Sequence, residues 1–544
     1  MLLGGMSTEF LHLLPLALGY AEIHFRLQLL PSRLYQRWPE VLADVPHRLE
    51  PDKPLPVLLL VKDSHRFPVR LEKAVLTVSD RNSEVGTREL LASPVPLRQP
   101  WWEKLLFIPL PDSAAGELFI SVSLQVSKGK RVRLVRNDNY PHLSHRPFRI
   151  YRAAEPMPRF PGQFAGDLHT HSRYTSDQVE FGASLRAIRA MAWALGLDFV
   201  AITDHSYDLD DHHDNFLRNS KKLEKWRAFQ AEIEQLNREA GAAGKPLLIP
   251  GEEVSARNSG GKTVHFLVLN SEQFFPGSGD GAERFFHSRS EMSVQEILAR
   301  LPDSALAAAA HPGVLAPPLE TALLNRGQWT EKDLSHFRLD GLQAVNGIAD
   351  ASLHRGLQLW ISRLLRGQHV FLYAGNDAHG NFGRYRQIKL PFWSMAEHQH
   401  HLFGKMRTVL LARKAPRHPD EAIALLRNGK CYVTSGPAIR FTVKNQSGKT
   451  AVPGERISGR HLTLLLAAKS SGELGPLREI RFFWGDLQLR RETEIQCSRP
   501  KLVYQTEIRL PFSPRAAGYL RVEVRSGGEK QDFFAFSNPV WISP

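Results

Sequence analysis

Two cysteines, Cys431 and Cys497, in 544 residues leave no basis for a disulfide scaffold, and a reducing compartment fits that usage. No apolar run approaches the roughly 20 residues that a membrane-spanning helix needs. The best one, Phe10 to Ala21, is broken by His12 and Pro15 and has no basic residue ahead of it. It reads as a soluble N-terminus, with a poor secretion signal as the alternative, so a cytoplasmic protein without a membrane partner is expected. No Lys/Arg run interleaved with aromatics occurs, although the formal charge is +14 and the pI near 9.7. Basicity spread this evenly argues against nucleic acid as partner and suits attraction of a small anionic substrate, phosphate-containing ones included. There is also no Gly-x-Ser-x-Gly elbow to signal a serine nucleophile, and no fixed-period repeat.

What is present is an ordinary globular balance, 42% hydrophobic and 23% charged, in a chain long enough for two to four domains. From Leu118 to Val126 apolar residues alternate with Phe119, Ser121, Ser123 and Gln125, the period of a half-buried strand. Ser127-Lys-Gly-Lys130 then supplies a turn before Val132 and Leu134 resume the alternation, which predicts a hairpin. Residues 1–155 are thus expected to form a β-sandwich-like domain. Pro156-Met-Pro-Arg-Phe-Pro-Gly162 cannot continue a regular element and marks a linker.

Beyond it, short apolar runs alternate with helical patterns. Ser184 can cap a helix bearing Leu185, Ile188 and Ala192 on one face, and a second helix from about Lys221 repeats Leu223, Trp226, Phe229, Ile233 and Leu236. The runs 199–202, 247–249, 264–269, 305–310, 342–345 and 370–374 are candidate parallel strands. Residues 156–430 therefore suggest a barrel-like α/β domain. After about Tyr432 the period returns to two, with Leu520, Val522 and Val524 opposite Arg521, Glu523 and Arg525, so residues 431–544 are expected to close the chain as a second β-sandwich-like domain.

The chemistry gathers at the ends of those runs. His169 and His171 are two apart and would project to one face of a strand, as two ligands of one metal must. Asp177 follows in a polar turn. Asp204 and His205, then Glu252 and Glu253, then His311, then Asp377 and His379 stand just past the C-terminal ends of successive candidate strands, where barrel enzymes place catalytic groups. Each alone has a plain reading: Asp204 as a helix cap, either glutamate as a loop carboxylate, His311 as a buried core histidine, His212 and His213 as loop residues. Together they point to a centre of divalent cations, with Zn, Mn or Fe all compatible with His and carboxylate ligands.

The ordered set His169-x-His171, Asp177, Thr203-Asp-His205, Gly251-Glu-Glu253, His265, Ala310-His-Pro312 and Gly375-Asn-Asp-Ala-His379 resembles the polymerase and histidinol phosphatase (PHP) family over about residues 165 to 390. Tyr432-Val-Thr-Ser-Gly-Pro437, leading into a β domain, further resembles its carbaryl-hydrolase-like branch. The resemblance implies a central distorted (β/α)7 TIM-like barrel, PHP-type, with two or three metal ions. His169, His171, Glu253 and Asp377 would hold one; Glu253, His265 and His311 a second; Asp177, His205 and His379 a third. The doublet Glu252-Glu253 leaves the bridging residue open, with the family pattern Gly-x-Glu favouring Glu253.

The expected activity is hydrolysis of a small phosphorylated molecule or nucleotide by a metal-bound hydroxide, with Glu253, Asp377, His205 and Asp204 as the catalytic set. Arg173, Arg257 and Arg384 are the candidate anion contacts. A metal-dependent carbamate, ester or amide hydrolase is the second reading, and a non-catalytic scaffold with a structural metal centre the third. The oligomeric state is not legible in the sequence.

Overall fold

The computed structural model describes residues 38–543, apart from 82, 112–113, 141–142, 176–181, 213–214, 241–243, 279–288, 390–393 and 529–531. The apolar stretch at Phe10 to Ala21, Asp177 and His213 lie outside the described residues. Strand makes up 45% and helix 15% of the structure. None of the helices among the described residues is long and apolar enough to cross a membrane. Two compact units form. The first takes its described residues from Met1–Ala154, Ser176–Leu195 and His379–Leu402; the second takes Glu155–Thr175, Gly196–Ala378 and Phe403–Pro544.

In the first unit a three-stranded sheet (Glu40–Asp44, Leu55–Lys62, Trp101–Ile108) and a seven-stranded sheet around Gly116–Lys128 and Val69–Ser79 share one core. The alternation along Gly116–Lys128 is realised: Leu118, Ile120, Val122, Leu124 and Val126 are buried and their neighbours half-buried. Arg131–Arg136 returns antiparallel to that strand through a turn at Gly129, whose φ of 58° suits a residue without Cβ. Ser184 caps the helix Leu185–Ala194 by accepting from the Ala187 amide at 3.1 Å.

The second unit corrects the barrel expectation. Its main sheet has fifteen strands and is mixed in direction. Gln163–Thr170, Phe199–His205 and Leu247–Arg257 are parallel neighbours, but Thr263–Leu269 runs antiparallel to both Leu247–Arg257 and Leu306–Ala310. Parallelism resumes through Gly341–Asn346 and Phe371–Gly375. On the other side of Gln163–Thr170 the sheet continues through Arg407–Leu411 and Cys431–Thr434 into Asp532–Ser537. No TIM-like ring of parallel strands is formed among the described residues.

The physical reason is connection length. Only Asn258–Lys262 separates Arg257 from Thr263, where the Gly261 amide donates to the Asn258 carbonyl, whereas a parallel crossover needs about a dozen residues or more. The continuous apolar runs arise because both faces are covered: Phe199, Ala201, Ile249 and Leu267 enter one core cluster, and Val254, Phe266, Val268 and Leu342 another. Near the C-terminus the strand Gly518–Gly527 is buried on both faces too. Arg521 is 2% exposed, ion-paired with Glu492 and Glu523 at 2.6 Å each and lying over the Phe483 ring.

Candidate metal centre

The second unit brings the ends of several strands together at one cluster of histidines and carboxylates. His169 lies near the end of Gln163–Thr170 and His171 just beyond it, where its amide donates to the Ala378 carbonyl at 2.9 Å. The end of Phe371–Gly375 approaches closely because Gly375 has no side chain: a Cβ there would stand 2.5 Å from His169 Cβ and 2.7 Å from its amide nitrogen. That approach lets the Asp377 amide donate to the His169 carbonyl at 2.8 Å. Asp377 and His311 hold φ of 54° and 29°, a left-handed backbone that costs on the order of 1–3 kcal/mol in non-glycine residues and persists where surrounding structure enforces it.

Two ligand-type groups lie wholly within this unit, His169, His171, Glu253 and Asp377, and Glu253, His265 and His311. Asp377 Oδ1 lies 3.4 Å from His169 Nε2 and 3.2 Å from His171 Nε2. Glu253 belongs to both groups. Its Oε1 is 3.4 Å from His169 Nε2, 2.7 Å from His265 Nδ1 and 3.1 Å from His311 Nε2, and its Oε2 is 3.1 Å from His205 Nδ1. Glu252 faces away, accepting from the Trp226 indole at 2.9 Å and the Phe275 amide at 3.2 Å. Burial raises its pKa to about 8. Of the two glutamates, Glu253 is therefore the one at the centre.

Hydrogen bonding assigns the ring protons. His169 Nδ1 stands 3.2 Å from Gln343 Oε1, which can only accept, and the Gln343 amide nitrogen is fixed by Val345 O and Asn346 Oδ1 at 3.1 and 3.0 Å. His171 Nδ1 stands 3.3 Å from Thr175 Oγ1, whose own proton goes to Asp204 at 2.7 Å. Both rings thus donate from Nδ1 and present an Nε2 lone pair, and the two Nε2 atoms are 3.2 Å apart. Lone pairs from two imidazoles and oxygens from two carboxylates converge with no donor of their own. This acceptor-only arrangement fits a divalent cation.

The two carboxylates favour positive charge at this point. Burial works against a charged His169, yet Asp377 and Glu253 outweigh it and raise its pKa to about 9. Burial also opposes ionised Glu253 and Asp377, but the surrounding histidines hold both carboxyls well below the usual range. His205 is raised by Glu253 against its burial, while burial lowers His311. A single proton can bridge one acceptor pair here and leaves the others facing each other.

The remaining expected residues divide. Asp204 receives four hydrogen bonds, from the amides of Ser172 and Thr175 and from both their hydroxyls, so it shapes the loop after the histidine pair. Of the third expected group, His205 lies in the second unit, His379 is buried in the first, and Asp177 is outside the described residues. His212 is exposed. Arg173 is paired with Glu232 at 2.9 Å, and Arg257 donates to the carbonyls of Ser290 and Glu291 at 2.6 and 3.1 Å. Arg384 is buried in the first unit, donating to Arg146 O and Pro147 O.

Sequence reasoning missed three contributors. Gln343 orients His169 and receives the His311 amide at 3.0 Å. Asp167 accepts from the amides of His169 and Asn376 at 3.1 Å each and from Gly404 at 3.0 Å, fixing both sides of the centre. The available signal was a lone polar residue inside a buried run, Gln343 in Gly-Leu-Gln-Ala-Val-Asn and Asp167 in Ala-Gly-Asp-Leu. Arg326 is the third, with its Nη2 2.7 Å from His265 Nε2, and nothing in the sequence singles it out.

No family model matches the chain, and no curated protein matches it. Among solved structures, a glycosyl hydrolase family 2 member from Bacteroides cellulosilyticus DSM 14838 aligns at 11% identity and TM-score 0.17 over 93% of this chain and 63% of its own. A Parabacteroides merdae β-glucuronidase gives 9% and 0.18 over 93% and 65%. The native α-2-macroglobulin fragment from Escherichia coli gives 11% and 0.18 over 93% and 99%. The chain thus spans less than two thirds of the first two. Scores this low transfer neither fold detail nor activity. The PHP resemblance, its carbaryl-hydrolase-like branch included, is corrected by the same findings: no family model supports it, and the fold is mostly sheet rather than a TIM-like barrel.

Proposed function

We propose that the chain is a metal-dependent hydrolase acting on small phosphate esters. The observation that carries the reading is the pair of imidazole lone pairs 3.2 Å apart between two carboxylates. A divalent cation bound there supplies a Lewis acid that polarises water and a substrate oxygen at neutral pH. His169, His171 and Asp377 would hold one ion, His265 and His311 a second, with Glu253 common to both.

The protein groups divide the remaining work. Glu253 is 1% exposed and screened from water, whereas the Asp377 side chain is 26% exposed and marks the side from which substrate enters. His205 can hold a proton at Nδ1 against Glu253 Oε2 and stacks on Tyr207 with ring centroids 4.7 Å apart, which fixes its plane. The phosphate class is favoured by the positive charge of the chain and by an arginine at the centre.

Elemental analysis of the wild type beside Asp377→Ala, with p-nitrophenyl phosphate turnover measured on both with and without added Mn, tests this. Two metals per chain and turnover lost in the variant are expected. A wild type that takes up no metal and stays inactive with Mn or Zn would refute it.

A further inference from the structure

We infer that Arg326 is the residue that binds the non-reacting oxygens of an anionic substrate, a phosphate ester, at the metal centre. The inference rests on the metal-hydrolase reading above and names a group that reading lacks. Three arginines near the histidine motifs in sequence, Arg173, Arg257 and Arg384, are bonded to Glu232, to the 290–291 carbonyls and to the 146–147 carbonyls. Arg326 instead reaches the centre from a segment far from any of the motifs, its Nη2 2.7 Å from His265 Nε2.

Its backbone is held for the task. The Thr263 amide donates to Asn325 O and the Gly327 amide to Thr263 O, both at 2.9 Å, so residues 325–327 are clipped to the strand that carries His265 two residues further on. Asn325 takes a φ of 56° and donates its side-chain amide to Gly261 O at 3.0 Å, which turns the chain into that bridge. Arg326 is half-buried, and its Nη2 meets His265 at Nε2, while Nδ1 of the same ring faces Glu253. A planar fork of N–H donors beside a cation site is suited to a phosphate or carboxylate, which it can grip at two oxygens.

A neutral imidazole carries one ring proton, and acceptance from Arg326 at Nε2 places it on Nδ1, facing Glu253. The contact sets the guanidinium beside a residue that would hold the second ion.

The test uses the full chain loaded with Mn, comparing wild type, Arg326→Lys and Arg326→Met. Three quantities are measured: metal per chain after dialysis, inorganic phosphate binding by calorimetry, and KM and kcat on p-nitrophenyl phosphate. Expected is unchanged metal content in both variants, with phosphate affinity weakened and KM raised at least tenfold in Arg326→Met and less in Arg326→Lys, and kcat moved far less than KM. Loss of metal in the variants would make Arg326 a support for His265 and overturn the inference. So would a loaded wild type that binds no phosphate, or an affinity that Arg326→Met leaves within twofold. A wild type that takes no metal overturns the hydrolase reading and this inference together, whereas a loaded, active wild type indifferent to Arg326→Met overturns this one alone.

Discussion

His169 and His171 point their Nε2 atoms at each other across 3.2 Å, each ring turned by a different acceptor, Gln343 for one and Thr175 for the other. Such a pair is unfavourable in an empty pocket and favourable around a cation, so stability should follow metal. Adding Mn or Zn at about 100 times its dissociation constant should stabilise the fold by about 2.7 kcal/mol, and a chelator should reverse it. Thermal unfolding with and without metal reads this directly, and a Tm unmoved by either ion would count against the centre.

The two adjacent glutamates separate cleanly. Glu253→Gln removes the carboxylate shared by five histidines and should abolish stoichiometric metal binding. Glu252→Gln alters a group bonded to Trp226 and Phe275, and should keep its metal while losing on the order of 1–3 kcal/mol of stability from an imperfectly paired buried amide. Elemental analysis of both variants checks it, and equal metal loss in the two would show that the doublet is not divided as described.

Gln343 acts on the centre through His169 and the His311 amide. Gln343→Ala should weaken metal affinity by roughly 10–100-fold, the usual cost of removing a partner that orients a ligating histidine. Competition against a chromogenic chelator measures it. A change under twofold would mean that His169 holds its orientation without this bond.

Gly375→Ala would press a methyl against His169 Cβ and its amide nitrogen, both backbone-linked atoms that cannot swing aside. A loss of about 1–3 kcal/mol, typical of overpacking, is expected together with reduced metal content, whereas Gly86→Ala, which meets nothing within 4 Å, should be nearly silent. Chemical denaturation of the pair gives the comparison.

The two thiols should differ in reactivity. Burial raises the Cys431 pKa to about 12, and the side chain has Asn538 as its partner at 3.1 Å. Because the unfolded thiol ionises near 8.5, the folded state binds the extra proton between that pH and about 12, and stability should fall there by about 1.4 kcal/mol per pH unit. At pH 8 a thiol reagent should label Cys497, which is half-exposed, and leave Cys431 untouched until the protein unfolds. Two rapid equivalents in the native protein would contradict this.

How much of this was legible in the sequence differs by residue. His205 and His311 were placed by the ends of apolar runs, because a buried strand announces itself by composition and its last residue emerges at the sheet edge, whereas His169 was picked out by its spacing of two from His171. Direction was another matter. The runs at 247–249 and 264–269 look alike whichever way the strand points, and only the short Asn258–Lys262 connection, with Gly260 and Gly261, told of an antiparallel return. That misread direction is what made a barrel of a mixed sheet. The arginines illustrate a related point: closeness in sequence to a histidine motif says nothing of the acceptor a long flexible side chain will find, and in the structure these three are bonded to Glu232 or to main-chain carbonyls. Asp204 stood beside the right histidine but spends its oxygens on Ser172 and Thr175.

The ladder running from Gln163–Thr170 through Arg407–Leu411 and Cys431–Thr434 to Asp532–Ser537 has one further result. The strand that delivers His169 is laced by main-chain bonds, two neighbours removed, to Asp532–Ser537, far along the chain. A ribosome must therefore synthesise the chain past Ser537 before that ladder can be completed, and a shortened product ending before Cys431 would leave the edge of Arg407–Leu411 open to any other strand in solution.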